Sequence, residues 1–338
     1  MSKKISMEEI AKIFNVSKVT ISKALNDKEG VSEELRKAIK EKAEEMGYFA
    51  NSAAKSLKLN KNFNIGVVIP KRFIGGSSSF YFETYTKLVM RLTELGYSVM
   101  LEILSLDQEN NKVFPDMYKN GKIDGLIIMG QTTDSYLSLF ADSYIPVLLF
   151  DFYSYDHHLD SIVVDNFTSG YKVTEYLINK GHKDIGFVGN IYATSSIQDR
   201  FLGFYRALLG HHLILDEKYI ISDRDQDGQF TPFVLPKQMP SAFVCNNDQI
   251  AYEFVNELKK LNYSIPKDIS IITFDNTIYS QKSNPTLTTM CVNVDDMIEM
   301  TSKIIVKKMN NKDKRYNKVL IQTELIERNS IYDLKKVS

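Results

Sequence analysis

The chain has 338 residues, of which 43% are hydrophobic and 25% charged, the composition of a folded globular protein with room for a small module and one or two α/β domains. Lys plus Arg and Asp plus Glu balance at 42 each, so net charge gives no sign of a nucleic-acid partner; yet residues 1–62 carry 13 basic and 9 acidic residues, and the remainder 29 and 33. The start, MSKKISMEEI, has no apolar signal-peptide core and no run of 18 apolar residues occurs, which excludes a secreted or membrane-spanning class and predicts a cytoplasmic protein.

Residues 7–26, MEEIAKIFNVSKVTISKALN, read as two short helices around a three-residue turn, a helix-turn-helix. Ile10, Ala11 and Ile13 give the first helix an apolar stripe. Asn15, Val16 and Ser17 form the turn, with Ser17 placed to cap the second helix. Ile21, Ala24 and Leu25 then face inward, which leaves Lys18, Val19, Ser22 and Lys23 pointing out, with Ser17, Thr20 and Asn26 as polar neighbours. Such a face fits the major groove of DNA; an ordinary helical hairpin is the alternative. Ser32, Glu33 and Glu34 start a third helix, Leu35, Ile39, Ala43 and Met46 supply its apolar side, and Gly47 ends it.

Residues 51–62, NSAAKSLKLNKN, are polar and too short for a stable isolated helix, and read as a hinge that orders only with a partner. Leu57 stands out in it, with Lys55 and Lys58 beside it. A leucine wedge in a minor-groove step, held by lysines on phosphates, is one reading and a plain linker the other.

From Ile65 the pattern changes to apolar runs alternating with helix-length segments. IGVVIP (65–70), YSVMLEIL (97–104), DGLIIMG (124–130) and PVLLF (146–150) form a first series; SIVVD (161–165), DIGFVGN (184–190), SAFVC (241–245) and ISIITF (269–274) form a second. Continuous apolar strands separated by helices predict two parallel sheets, hence two doubly wound subdomains with a cleft between them. Ligands of such sheets sit past the carboxyl ends of the strands, where this chain places Asp151, Asp165-Asn166, Asn246-Asn247-Asp248 and Asp275-Asn276, with Arg200 near the start of a following helix. Short acids, amides and an arginine suit a hydroxyl-rich ligand, and Phe80, Tyr81 and Phe82 offer an apolar face for its ring. Asp and Asn at strand ends are also common helix caps, the reading that best fits Asp165 and Asp248.

The Gly-rich tract GGSSS (75–79) lacks a phosphate-loop ending and reads as a flexible loop. The adjacent pairs His157-His158 and His211-His212 lack zinc-site spacing, and Cys245 and Cys291 read as isolated small hydrophobes. No serine elbow or metal motif occurs, so neither catalysis, a metal nor a cofactor is expected.

Taken together, IAKIFNVSKVTISKALN, GVSEELRKAIKEKAEEMGY, NSAAKSLK, DGLIIMG, VVDNFTSG, LINKGHKDIGFVG, DRFLGFYRAL, NNDQIA, ISIITFDN, NPTLTTM and ELIERNSI resemble, in order, the LacI/GalR family of bacterial transcription regulators. The resemblance implies an all-α helix-turn-helix headpiece (1–50), a hinge helix (51–62) and an α/β core (63–338) like the type I periplasmic binding proteins. Within that core it implies one subdomain of about 63–161 with 292–322 and another of about 162–291 with 323–338. Carried over by position, Lys18, Val19 and Lys23 read bases, and Leu57 is the wedge with Ala54 and Lys58 beside it. Arg200, Asn247, Asp275 and Asp151 hold an effector. Position 23 is more often arginine in relatives, and Lys offers a point charge instead of a fork. The end, DLKKVS, has no leucine heptad, so a homodimer is expected. The expected partners are double-stranded DNA with a near-palindromic site and a small-molecule effector, a sugar or sugar derivative, with a nucleobase or a transport-type sugar-binding protein as the alternatives.

Overall fold

The computed structural model describes residues 5–48, 61–74, 80–225 and 228–336, and the chain divides into two compact units, Met1–Lys61 and Asn62–Ser338. The hinge positions Ala54, Lys55, Leu57 and Lys58, and the Gly-rich stretch 75–79, lie outside the described residues.

The first unit contains α1 (Met7–Phe14), α2 (Lys18–Leu25) and α3 (Glu33–Glu45). Each begins on a serine whose hydroxyl accepts a backbone N–H that the first turn leaves unpaired: Ser6 from Glu9, Ser17 from Thr20 and Ser32 from Leu35. Ser6 and Glu9 complete a reciprocal capping box. Asn15 takes the left-handed conformation (φ 50°) that closes α1, one that Asn tolerates better than most side chains. Beyond α3, Gly47 at φ 66° lets the Tyr48 N–H reach the Ala43 carbonyl (2.8 Å), a Schellman stop. Ile10, Ile21 and Ile39 fill the centre, while Ala11, Ala24 and Ala43 allow close helix crossings. The apolar stripe of α1 differs from expectation at one position: Ile13 is 52% exposed, and Phe14 packs on the core in its place. Residue 14 lies four positions from Ile10 and three from Ala11, between the two buried residues, whereas 13 lies on the side of Ile10 away from Ala11.

The second unit holds two six-stranded sheets. The first runs β11-β5-β4-β3-β1-β2, from β1 (Asn64–Pro70), β2 (Ser98–Leu104), β3 (Gly125–Met129), β4 (Val147–Phe150), β5 (Asp160–Val164) and β11 (Lys318–Ile321). The second runs β12-β10-β9-β8-β6-β7, from β6 (Ile185–Val188), β7 (Ile220–Ile221), β8 (Ala242–Cys245), β9 (Ser270–Asp275), β10 (Thr288–Val292) and β12 (Thr323–Ile326). All neighbours are parallel except β10 and β12. The main helices are α4 (Phe80–Glu94), α5 (Asn166–Asn179), α6 (Ser195–Gly210), α7 (Asp248–Lys260) and α8 (Val294–Asn310). Four apolar clusters line the two faces of the two sheets, the burial pattern that continuous apolar strands require.

One strand assignment is corrected. SIVVD belongs to the first sheet, pairing β4 and β11, so the chain first crosses after Val164 and not before Ile162. An apolar run carries no mark of which sheet it joins; pairing decides. The chain returns after Val292 and crosses again at Gln322.

Candidate functional site

On α2 the outward face is as expected. Val19 is 64% exposed, and Lys18 reaches Glu8 of α1 at 2.6 Å in a pair open to solvent. The hydrogen bond from Lys18 holds the Glu8 carboxyl below its usual range and raises the ammonium. Ser17 and Thr20 exchange a hydroxyl bond (2.9 Å), and Asn26 Nδ2 donates to the Ser22 carbonyl (2.7 Å). These three polar groups thus shape the turn and the end of the helix, while Lys18 and Val19 are exposed and Lys23 is half-buried.

In the core, a cavity of about 460 Å³ lies between the carboxyl ends of the two sheets, within the size range of small-molecule sites. It gathers Phe80, Tyr81, Asp151, Arg200, Asn247 and Asp275, together with Asn246 and Asp248. Phe82 does not join them: it is 49% exposed and packs on Tyr85.

Arg200 is placed by a close helix contact. A Cβ on Gly170 of α5 would stand 2.1 Å from the Arg200 carbonyl oxygen, and one on Gly203 of α6 2.0 Å from that of Phe167, so only glycine lets these backbones touch. From there Arg200 donates to Asn166 Oδ1 (2.8 Å), to the Asn246 carbonyl and to Asp275 Oδ1 (2.9 Å), with its guanidinium over the Phe274 ring at 4.6 Å. Asp275 ends β9 at φ 99°, and Asn276 beyond it accepts from Arg328 (2.6 Å). On the opposite wall, Asp151 follows β4 at φ 66° and accepts from the Tyr81 hydroxyl (2.8 Å). Burial pushes the Asp151 carboxyl up to about 6, against the pull of Tyr81 and Arg200. Burial beside that carboxylate holds the Tyr81 hydroxyl protonated far above its usual range.

The helix cap falls on Asn247 and not, as the sequence suggested, on Asp248. Asn247 caps α7, its Oδ1 accepting from Ile250 N (2.9 Å), so that only its amide hydrogens remain for a ligand. Asp248 is fully buried, accepts from Thr277 Oγ1 (3.1 Å) and Thr289 Oγ1 (2.8 Å), and is pushed up to about 7 by burial and by the Asp275 charge. Asp165 caps α5 as expected, accepting from Thr168 N (3.1 Å).

The sequence reading missed Arg72, Phe73, Arg224 and Phe230 in the wall. Arg72 and Phe73 lie just past β1, where the rule that found Asp151 applies equally; Arg224 and Phe230 follow the two-residue β7, too short to register as a strand. Two residues of the first subdomain bond to the first turns of α6 beside the cavity: Gln131 Oε1 accepts from Ser195 N (3.1 Å) and Oγ (2.9 Å), and Tyr153 donates to Asp199 (3.0 Å). Among the described residues there is no cluster of three or more His, Cys, Asp or Glu suited to a metal, and no helix long and apolar enough to cross a membrane.

A helix-turn-helix module with a two-sheet core and a cleft at the strand ends defines a ligand-responsive regulator class. Residues 6–51 match the family model described as bacterial regulatory proteins, lacI family, and residues 174–331 that of a periplasmic binding protein-like domain. The chain is 28% identical over 334 residues to the probable HTH-type transcriptional repressor ExuR of Bacillus subtilis, covering 97% of this chain and 98% of that one. It is 27% identical over 343 residues to the HTH-type transcriptional repressor PurR of Actinobacillus pleuropneumoniae, covering 98% and 99%. Its fold matches the lac repressor dimer bound to operator and the anti-inducer ONPF with a TM-score of 0.78, at 19% identity, over 98% of this chain and 100% of that one. The chain belongs to the LacI/GalR family of bacterial transcription regulators.

Proposed function

We propose that this protein represses transcription by binding a near-palindromic DNA operator as a homodimer, and that a sugar or sugar derivative in the cleft sets its affinity for that site. The observation that carries the reading is the cleft itself: Asp151 with Tyr81 on one wall and Arg200 with Asp275 on the other present acceptors and donors to one cavity from two subdomains. Each carboxylate can take two vicinal hydroxyls, and the Phe73, Phe80 and Tyr81 rings supply the apolar contact that a sugar face needs. A ligand touching both walls favours one arrangement of the subdomains, with Gln131 and Tyr153 adding bonds across the cleft in the arrangement described. Coupling of that kind is typically about 1–3 kcal/mol, or roughly 5–150-fold in operator affinity.

On the DNA side, Lys18, Val19 and Lys23 would read the major groove, with Ser17, Thr20, Ser22 and Asn26 around them. Leu57 would open a minor-groove step between Ala54, Lys55 and Lys58. The same aromatic rings also suit a nucleobase, which is the second reading. Selection of bound sequences from a random DNA library tests the function directly: a palindromic motif bound by dimers is expected, and binding without sequence preference would refute it. Leu57→Ala should weaken operator binding strongly while leaving ligand binding unchanged; equal operator affinity would remove the wedge.

A further inference from the structure

The charges in the cleft are not evenly partnered. Its three cations each already hold a carboxylate. Arg72 grips Glu109 with two nitrogens (2.6 and 3.3 Å), and Glu109 is 1% exposed. Arg200 holds Asp275 at 2.9 Å, and Arg224 holds the buried Asp223 at 2.6 and 3.0 Å. Asp151 and Asp248, by contrast, are held by hydroxyls and backbone N–H groups and face no cation of their own. No Lys or His lines the cavity among the described residues, and the stretches 75–79 and 226–227, outside them, contain no Lys or Arg.

We propose that this cleft selects an uncharged, hydroxyl-rich effector and rejects sugar acids and sugar phosphates of the same skeleton; the inference rests on the reading of the cleft as the effector site. An anionic group gains little here. An arginine whose charge is already balanced by Glu109, Asp223 or Asp275 attracts an anion little, and to pair with it fully must loosen that hold and leave the carboxylate buried without its partner, the costly outcome for an ion pair out of water. An anion placed against Asp151 or Asp248 meets a like charge across a poorly screened gap. A neutral hydroxyl meets neither cost. It donates to Asp151 and accepts from Asn247 Nδ2 or an Arg200 N–H, so all the existing pairs stay intact. The upward shifts of the two carboxyls agree with this: burial outweighs the pull of Tyr81 and Arg200 on Asp151, and burial and the Asp275 charge act together on Asp248.

The test compares matched ligands on the full-length protein by thermal shift and titration calorimetry: glucose, glucuronate and glucose 6-phosphate; galactose and galacturonate; and the nucleobases adenine and hypoxanthine. At least one uncharged compound should bind, with its acid or phosphate counterpart weaker by about tenfold or more. In Asp151→Asn, which keeps an acceptor for Tyr81 and removes one unpartnered carboxylate, the gap between the members of a pair should narrow by about tenfold. An acid or phosphate that binds as well as its neutral counterpart, or a panel in which no uncharged compound binds, overturns the proposal. Binding of a nucleobase alone would overturn the hydroxyl-rich effector and with it the carbohydrate reading, while the exclusion of anions would stand, so the two fail separately.

Discussion

In the helix-turn-helix unit, charged groups sit in water and bond to residues close along the chain: Lys18 with Glu8 and Lys40 with Asp27, 10 and 13 positions apart. In the cleft they are buried and bond, within each wall, to residues far along the chain: Tyr81 with Asp151 over 70 positions and Arg200 with Asp275 over 75. The difference is one of what each surface can release. A solvent-exposed pair is nearly neutral in free energy, so Lys18 can exchange Glu8 for a phosphate or a base edge at small cost. A buried pair cannot be opened so cheaply, so the cleft keeps its arginine pairs closed and offers a ligand only the groups left over. The first region is built to rearrange on contact, the second to discriminate.

Four substitutions break or sharpen that contrast. The largest effect is expected for Arg200→Ala, which strands Asp275 and removes donors from Asn166 and the Asn246 carbonyl. It should destabilise the core by about 3–5 kcal/mol in urea unfolding, and a loss below about 1 kcal/mol would show that the pair is not effectively buried. Gly203→Ala tests whether the close approach of α5 and α6 places Arg200. Its methyl meets a backbone carbonyl, and a loss of about 1–3 kcal/mol together with weaker ligand binding is expected.

The third concerns pH. Asp248 is raised to about 7 and Asp151 to about 6, so the folded core holds protons that the unfolded chain has released. Their contribution to stability is complete below the ordinary carboxylate value near pH 4 and is lost as pH rises through about 6 to 7. His182, lowered by burial, acts in the opposite sense, its share lost as pH falls. Asp248→Asn should therefore flatten the fall in melting temperature of the ligand-free protein between about pH 5 and 8; an unchanged slope would reject the assignment. The smallest effect belongs to Glu8→Gln, which should leave the melting temperature unchanged while altering operator affinity, since Lys18 loses its resting partner. A clear drop in melting temperature would contradict the contrast between the regions.

The helix-turn-helix unit was legible almost residue by residue. Ser17, Ser32 and Gly47 cap or stop helices where expected, because capping and 3.6-residue periodicity act within a few positions of the chain. Only the apolar stripe of α1 needed revision, Phe14 replacing Ile13. The strand-end rule found Asp151, Asn246, Asn247, Asp248 and Asp275 in the wall of the cleft, but it could not separate Asn247, a helix cap, from Asp248, a buried acid that ties Thr277 and Thr289 together. It also left out Arg72 and Arg224, whose interest lies in the carboxylates they already hold.

The sequence by itself determined the local elements, the two-part character of the chain and the residue types gathered at the strand ends. These follow from apolar periodicity, caps and turn chemistry, all of which act over short stretches. Only the tertiary structure decided that SIVVD joins the first sheet, that glycines at 170 and 203 let two helices touch, and which carboxylate each arginine holds. Strand pairing and charge pairing are choices among distant partners of equal local fitness, and folding settles them by which arrangement leaves the fewest buried groups unpaired.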